Sequence, residues 1–174
     1  MRVLCCLDGT NTEQIGKALE MLTPSQPLIV SMLHVTDTRP KEDIDMIRER
    51  FWRHPLHPHH PPAPPEHPPR RSLREEEISE VENASAEEIL KEGLSYCGHA
   101  ETMKREGRPE REIVNLAAEW RADLVIVGSR ARYRMKEEIG PKSLGHVARF
   151  VLDHAPCPVL LLRPTGRQKY PIAR

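Results

Sequence analysis

The chain has 174 residues, 38% of them apolar and only 4% aromatic, enough for one domain with a substantial core. Its 26 basic and 26 acidic residues cancel, so bulk charge argues for neither a nucleic-acid partner nor a membrane surface. No apolar run approaches the ~20 residues of a membrane span, and Met1 to Leu7 is too short for the apolar region of a signal peptide. The cysteines, Cys5, Cys6, Cys97 and Cys157, show no CxxC, zinc or disulfide spacing, so a reduced, cytoplasmic setting is the simplest reading.

Arg2 to Leu7 (RVLCCL) is an apolar strand, in which adjacent Cys5 and Cys6 must point to opposite faces. Asp8-Gly9-Thr10 is a turn signal, and Thr10-Asn11-Thr12-Glu13 fits a capping box. The helix that follows carries Ile15, Ala18, Leu19 and Leu22 and stops before Pro24. Leu28 to Val35 is a second apolar strand, and His34 within it is read as a locally hydrogen-bonded strand residue. Lys41 to Trp52, with Ile44, Ile47 and Phe51 at helical spacing, reads as a short amphipathic helix.

His54 to Arg71 holds eight prolines and five histidines, which neither a helix interior nor a central strand accepts. It reads as a flexible, polyproline-like insertion of residues 54–71. His57, His59 and His60 are candidate ligands for a weakly held divalent metal, but no fixed geometry supports them, and a solvated low-complexity loop is preferred.

Arg74 to Ser95 reads as one long acidic helix with Ile78, Val81, Ala84, Ser85, Ile89 and Leu90 as its stripe and Gly93, Tyr96 and Gly98 at its fraying end. His99 to Glu106 alternates weakly and is polar, as an edge strand would be. Gly107-Arg108-Pro109 leads into a helix over Glu110 to Trp120, with Ile113, Leu116, Ala117 and Trp120 facing inward. Asp123 is a turn residue. Leu124 to Val127 is a continuous apolar run, as in a strand covered on both faces. A basic loop opens at Gly128-Ser129 and feeds a helix over Ser143 to His154 with Leu144, Val147, Ala148, Val151 and Leu152 on one stripe. Arg149 and His154 are assigned to its solvated face. Ala155-Pro156-Cys157-Pro158 stops this helix, and Val159 to Leu162 is the last strand. Residues 165–174 form a loose basic tail.

Strands alternating with helices predict an α/β fold, a doubly wound and mainly parallel sheet spanning residues 1–174 as a single domain. In such sheets ligands sit at the carboxyl ends of strands, at the point where strand order reverses. The two chemically informative strand ends are Leu7-Asp8-Gly9 and Val127-Gly128-Ser129, and if their strands are neighbours the loops form one cleft.

Three segments, VLCCLDGT with its KALEML helix, GRPEREIVNLAAEWRADLVIVGSR, and SLGHVARFVLDHAPCPVLLLRP, resemble the universal stress protein family. The resemblance spans Arg2 to about Thr38 and Gly107 to Arg163. It implies a Rossmann-like, five-stranded parallel sheet in the order 3-2-1-4-5. It also implies a homodimer through the last strand, Val159, Leu160, Leu161 and Leu162. Nucleotide-binding members carry G-x2-G-x9-G-(S/T), in which glycines let backbone N–H groups approach phosphates and the hydroxyl adds a donor. Here Gly128 matches the first glycine, Ala131 replaces the second, Gly145 follows after thirteen residues instead of nine, and His146 replaces the hydroxyl. Asp8, with Gly9 beside it, matches the acidic residue at the nucleotide, and Val35 lies near the adenine position. Arg130, Lys142 and Ser143 could add charge and donors within the longer loop. The cofactor so implied is ATP with Mg²⁺.

Two functions follow. The first is a dimeric, cytoplasmic regulatory protein of the stress response that binds an adenine nucleotide or another phosphate ligand between strands 1 and 4. The second is the same fold without nucleotide, as a module that engages a protein partner. Catalysis beyond slow ATP hydrolysis finds no dedicated general base. CCLDGT is also similar to the DxDGT signature of haloacid-dehalogenase-type phosphatases, but Cys6 stands where the nucleophilic aspartate is required. Neither a membrane nor a nucleic-acid partner is expected.

Overall fold

The computed structural model describes residues 1–22, 27–39, 73–129 and 144–163, with backbone alone over 73–79. The helix expected at Lys41 to Trp52, the 54–71 insertion with its histidines, the basic loop and the tail lie outside the described residues. Among the described residues nine elements follow in order: β1 (Arg2–Leu7), α1 (Thr12–Met21), β2 (Ile29–Asp37), α2 (Leu73–Cys97), β3 (Ala100–Gly107), α3 (Pro109–Glu119), β4 (Leu124–Gly128), α4 (His146–His154) and β5 (Val159–Leu162). The sheet runs β3-β2-β1-β4-β5, every pair parallel, as expected for a doubly wound α/β fold.

β1 sits at the centre because it is apolar on both faces. Leu4 and Cys6 face α3 and α4, in a cluster with Leu33, Ile113, Leu116, Val125, Val127 and Val151. Val3, Cys5 and Leu7 face α1 and α2, with Ile15, Leu19, Met32, Leu90 and Ile126. Cys5 and Cys6 therefore do separate to opposite layers, as the alternation of a strand requires. Each fully buried Leu or Ile side chain stabilises by about 1.5–3 kcal/mol, against roughly 0–1 kcal/mol for a surface ion pair. Core positions such as Leu4, Ile15 and Ile126 therefore outweigh pairs such as Lys17–Glu13.

Several local expectations need correction. Asn11, not Thr10, is the N-cap of α1, and no side-chain cap bond forms. The side chain faces backward instead: Asn11 Oδ1 accepts from the Asp8 N–H at 3.1 Å and Nδ2 donates to the Cys6 carbonyl at 2.9 Å. Glu13 pairs with Lys17 rather than closing a box. On α2 the buried residues among those described are Ala86, Leu90 and Gly93, while Val81 is 71% exposed and Ala84 and Ser85 are exposed. Gly93 is not a fraying end; a Cβ there would lie 2.7 Å from Leu7 Cδ1, so its absence lets α2 press on β1. Gly98, at φ +65, is what ends the helix. On α4 Leu152 is 41% exposed rather than buried, because Ala148 and Val151 occupy the line facing the sheet. Asp123 is more than a turn residue: its Oδ2 accepts from the Arg2 N–H at 2.7 Å and its own N–H donates to the Arg2 carbonyl at 2.9 Å, pinning the start of β1.

Candidate functional site

β1 and β4 are neighbours in register, Cys6 opposite Val127, so Asp8 and Gly128 emerge side by side at the point where strand order reverses. The cleft predicted from the two strand ends is there. It is a cavity of about 460 Å³ lined from β1 by Cys6, Leu7 and Asp8, from β2 by Leu33, His34 and Val35, and from β4 by Val127 and Gly128. Asn11 and Arg39, with Pro109 and Ile113 of α3 and Leu144 to Ala148 at the start of α4, complete the wall.

The loop after β1 is locked by short-range chemistry. Thr10 donates its backbone N–H at 2.8 Å and its hydroxyl at 2.9 Å to Asp8 Oδ1, an aspartate turn of the kind Asp favours. Asn11, 3% exposed, braces Asp8 against the end of β1. Gly128 makes room for this brace: a Cβ there would lie 2.9 Å from Asn11 Nδ2 and 3.5 Å from Asp8 Oδ2. The glycine thus has a packing reason in addition to any approach of a ligand. Gly9 turns the chain at φ +84 against Ile89 of α2 and is not among the residues lining the cavity.

α4 begins three residues later than expected, at His146, because Gly145 holds φ 79 and ψ 165, a conformation that L side chains avoid. The first-turn amides of α4 have no intrahelical partner and carry the positive end of the helix dipole. They belong to the residues at the cavity wall, where Gly145, His146, Val147 and Ala148 all line it. Asp8, Val35, Gly128, Gly145 and His146 are therefore brought together. Arg130, Ala131, Lys142 and Ser143 lie outside the described residues.

Some contributors were not legible as site residues. His34 was read as a locally bonded strand residue; its Nδ1 lies 3.1 Å from the Leu7 carbonyl on the adjacent strand, and the ring also lines the cavity. Arg39, just past β2, reaches the cavity while held by Asp37, with Nε 2.9 Å and 3.0 Å from the two carboxylate oxygens. Hydrogen bonding from the Arg39 side chain holds the Asp37 carboxyl below its usual value. Glu110, in the first turn of α3, is 5% exposed; its Oε1 lies 3.4 Å from His146 Nε2 and 3.7 Å from Arg39 Nη1. An acid directly after a proline at a helix start was the available signal, because the helix dipole favours it there. Cys6 lines the cavity as an apolar group: burial pushes its thiol well above the ordinary cysteine value, so it is no nucleophile at neutral pH.

The cavity combines apolar walls, the Asp8 carboxylate just past β1, and a start of α4 that has no side-chain cap at Gly145. The sequence model of the universal stress protein family matches residues 53–163, more than half of the chain. The chain belongs to the universal stress protein family. It is 35% identical over 94 residues to universal stress protein YxiE of Bacillus subtilis, a match covering 54% of this chain and 57% of that protein, so the chain spans little more than half of this relative. The fold is similar to that of universal stress protein UspA from Lactobacillus plantarum, with a TM-score of 0.62 at 19% identity over 94% of this chain and 97% of that one. It is also similar to a universal stress protein family protein from Arabidopsis thaliana solved with AMP bound, with a TM-score of 0.57 at 17% identity over 94% and 91% of the two chains.

Proposed function

We propose that this cavity binds an adenine nucleotide, and that the protein is a dimeric regulator of the stress response rather than a dedicated enzyme. The observation that carries the reading is the convergence of Asp8, Val35, Gly128 and the glycine-capped start of α4 on one cavity. Its volume of about 460 Å³ lies within the ~300–1,000 Å³ usual for small-molecule sites. The apolar stretch beside Val35, Ile113 and Val147 suits a flat base, and the amides of α4 suit a phosphate. AMP bound to the Arabidopsis relative supports the capacity of this fold to take such a ligand. Mg²⁺ would arrive with the phosphates of ATP. Among the described residues no group of three His, Cys, Asp or Glu side chains could hold a metal, and Mg²⁺ typically relies on one or two carboxylates plus substrate phosphates.

The dimer is proposed through β5, whose four residues remain only partly buried at the sheet edge. The free cysteines fit a cytoplasmic setting, and no helix among the described residues is long and apolar enough to cross a membrane. The test is calorimetry of the purified chain with AMP and with ATP and Mg²⁺. Saturable heat at micromolar to millimolar ligand supports the reading. Its absence at millimolar ligand overturns it and leaves the protein-interaction module, which His146 in place of the motif hydroxyl would then explain.

A further inference from the structure

Glu110 has no role in the nucleotide site as the family motif defines it, yet its placement is costly. A carboxylate 5% exposed loses most of its hydration, and such a group persists only when paired. The pairing here is partial. Oε1 faces His146 Nε2 at 3.4 Å and Arg39 Nη1 at 3.7 Å, while Oε2 is buried with no hydrogen-bond partner among the described residues. Arg39 is already engaged through Nε with both oxygens of Asp37. Glu110 Oε1 therefore stands between Arg39, which it shares with Asp37, and His146, the first residue of α4.

That is where a phosphate group would dock if the cavity holds a nucleotide, and this inference rests on that reading. A buried carboxylate reaching the side chain of the first residue of α4, whose N-terminus lines the cavity together with that of α3, opposes the field that attracts anions there. Buried charges are also screened poorly by salt. At an effective dielectric of ~20, one unit charge still alters the affinity for another by roughly tenfold at ~10 Å. We infer that Glu110 is a specificity-determining residue: its carboxylate offsets His146 and the α4 dipole, and so restrains the phosphate charge that the site accepts, favouring a monophosphate over a triphosphate.

The experiment measures Kd for adenosine, AMP and ATP by calorimetry on the full chain, wild type against Glu110→Gln and Glu110→Asp. Removing the charge in Glu110→Gln is expected to shift the ATP-to-AMP affinity ratio toward ATP by about tenfold, with adenosine unchanged. Glu110→Asp keeps the charge and is expected to keep the wild-type ratio. Thermal melts establish that each variant is folded, and Glu110→Ala makes the same comparison should the glutamine variant not fold. A ratio that stays constant, or moves toward AMP, overturns the inference while leaving nucleotide binding intact. A wild type that binds none of the three overturns both. A purely structural Glu110 would lower the melting temperature and leave the ratio untouched.

Discussion

Gly128→Ala asks whether the first glycine of the loop serves the ligand or the protein. Gly128 is not in the left-handed region, so alanine meets no backbone obstacle. Its new methyl would, however, lie 2.9 Å from Asn11 Nδ2, a distance at which something must move. Overpacking of this kind costs about 1–3 kcal/mol. Asn11 is buried and makes two hydrogen bonds, to the Asp8 N–H and the Cys6 carbonyl. Each contributes ~0.5–1.5 kcal/mol, so Asn11→Ala should cost about 2 kcal/mol. In the double variant the 2.9 Å contact is gone, and the remaining neighbours, Asn11 Cβ at 3.4 Å and Asp8 Oδ2 at 3.5 Å, are tolerable. The two costs should therefore fall short of additive by at least ~1 kcal/mol. Chemical denaturation of the four proteins without ligand measures this directly. A shift of about 2–4 °C per kcal/mol in Tm provides an independent check. If Gly128→Ala is neutral in the ligand-free protein, or if the costs add, Asn11 is not what requires glycine at this position.

Four further outcomes are expected. Gly145→Ala forces an alanine to φ 79 and should destabilise by about 1–3 kcal/mol in a urea titration, with α4 fraying at its start; a neutral result would mean that α4 begins otherwise. Native protein treated with iodoacetamide at pH 8 should leave Cys5 and Cys6 unlabelled, since burial lifts Cys5 to about 12 and Cys6 higher still; rapid modification of either, read by mass spectrometry, would contradict a closed β1. Asp37 is held below its usual 3.8 by Arg39, so the pair contributes stability that is complete above that value and is lost as pH falls through the lowered folded one. The Tm gap between wild type and Asp37→Asn should accordingly narrow from neutral pH to strongly acid pH, and a constant gap would refute the linkage. Light scattering across a concentration series should give twice the 19.9 kDa chain mass, and a persistent monomer would remove β5 as an interface.

The regular elements were legible because their patterns were one-dimensional. The apolar run Val125 to Val127 and the stripes Ile15-Ala18-Leu19 and Ile113-Leu116-Ala117 follow the strand and helix periods and are buried as those periods require, with Leu124 half-buried at the strand start. Asp8 and Gly128 could be paired in advance only if their strands were neighbours, which the order implied by the family resemblance supplied and the β1–β4 pairing bears out. What could not be read depends on three-dimensional competition. The capping box failed because Asn11 found better partners in Asp8 and Cys6 than in its own helix. The α2 stripe was displaced by one side of the helix, because where α2 meets β1 is set by Leu7 and Gly93 rather than by the helix's own pattern. Glu110 escaped notice since its place after Pro109 signals only a helix start, not that the carboxylate will be buried or that His146, far along the chain, will lie 3.4 Å from it.

The two margins of the sheet differ chemically. β3, at one margin, exposes Glu101, Arg105 and Glu106, whereas β5, at the other, presents Val159 to Leu162. Charged side chains on a strand discourage another strand from adding to it. Any association through β5 would leave both outward margins of the pair charged, so it would terminate itself at two copies. The same polarity that made β3 hard to recognise as a strand would thereby keep the protein from growing into a continuous ribbon.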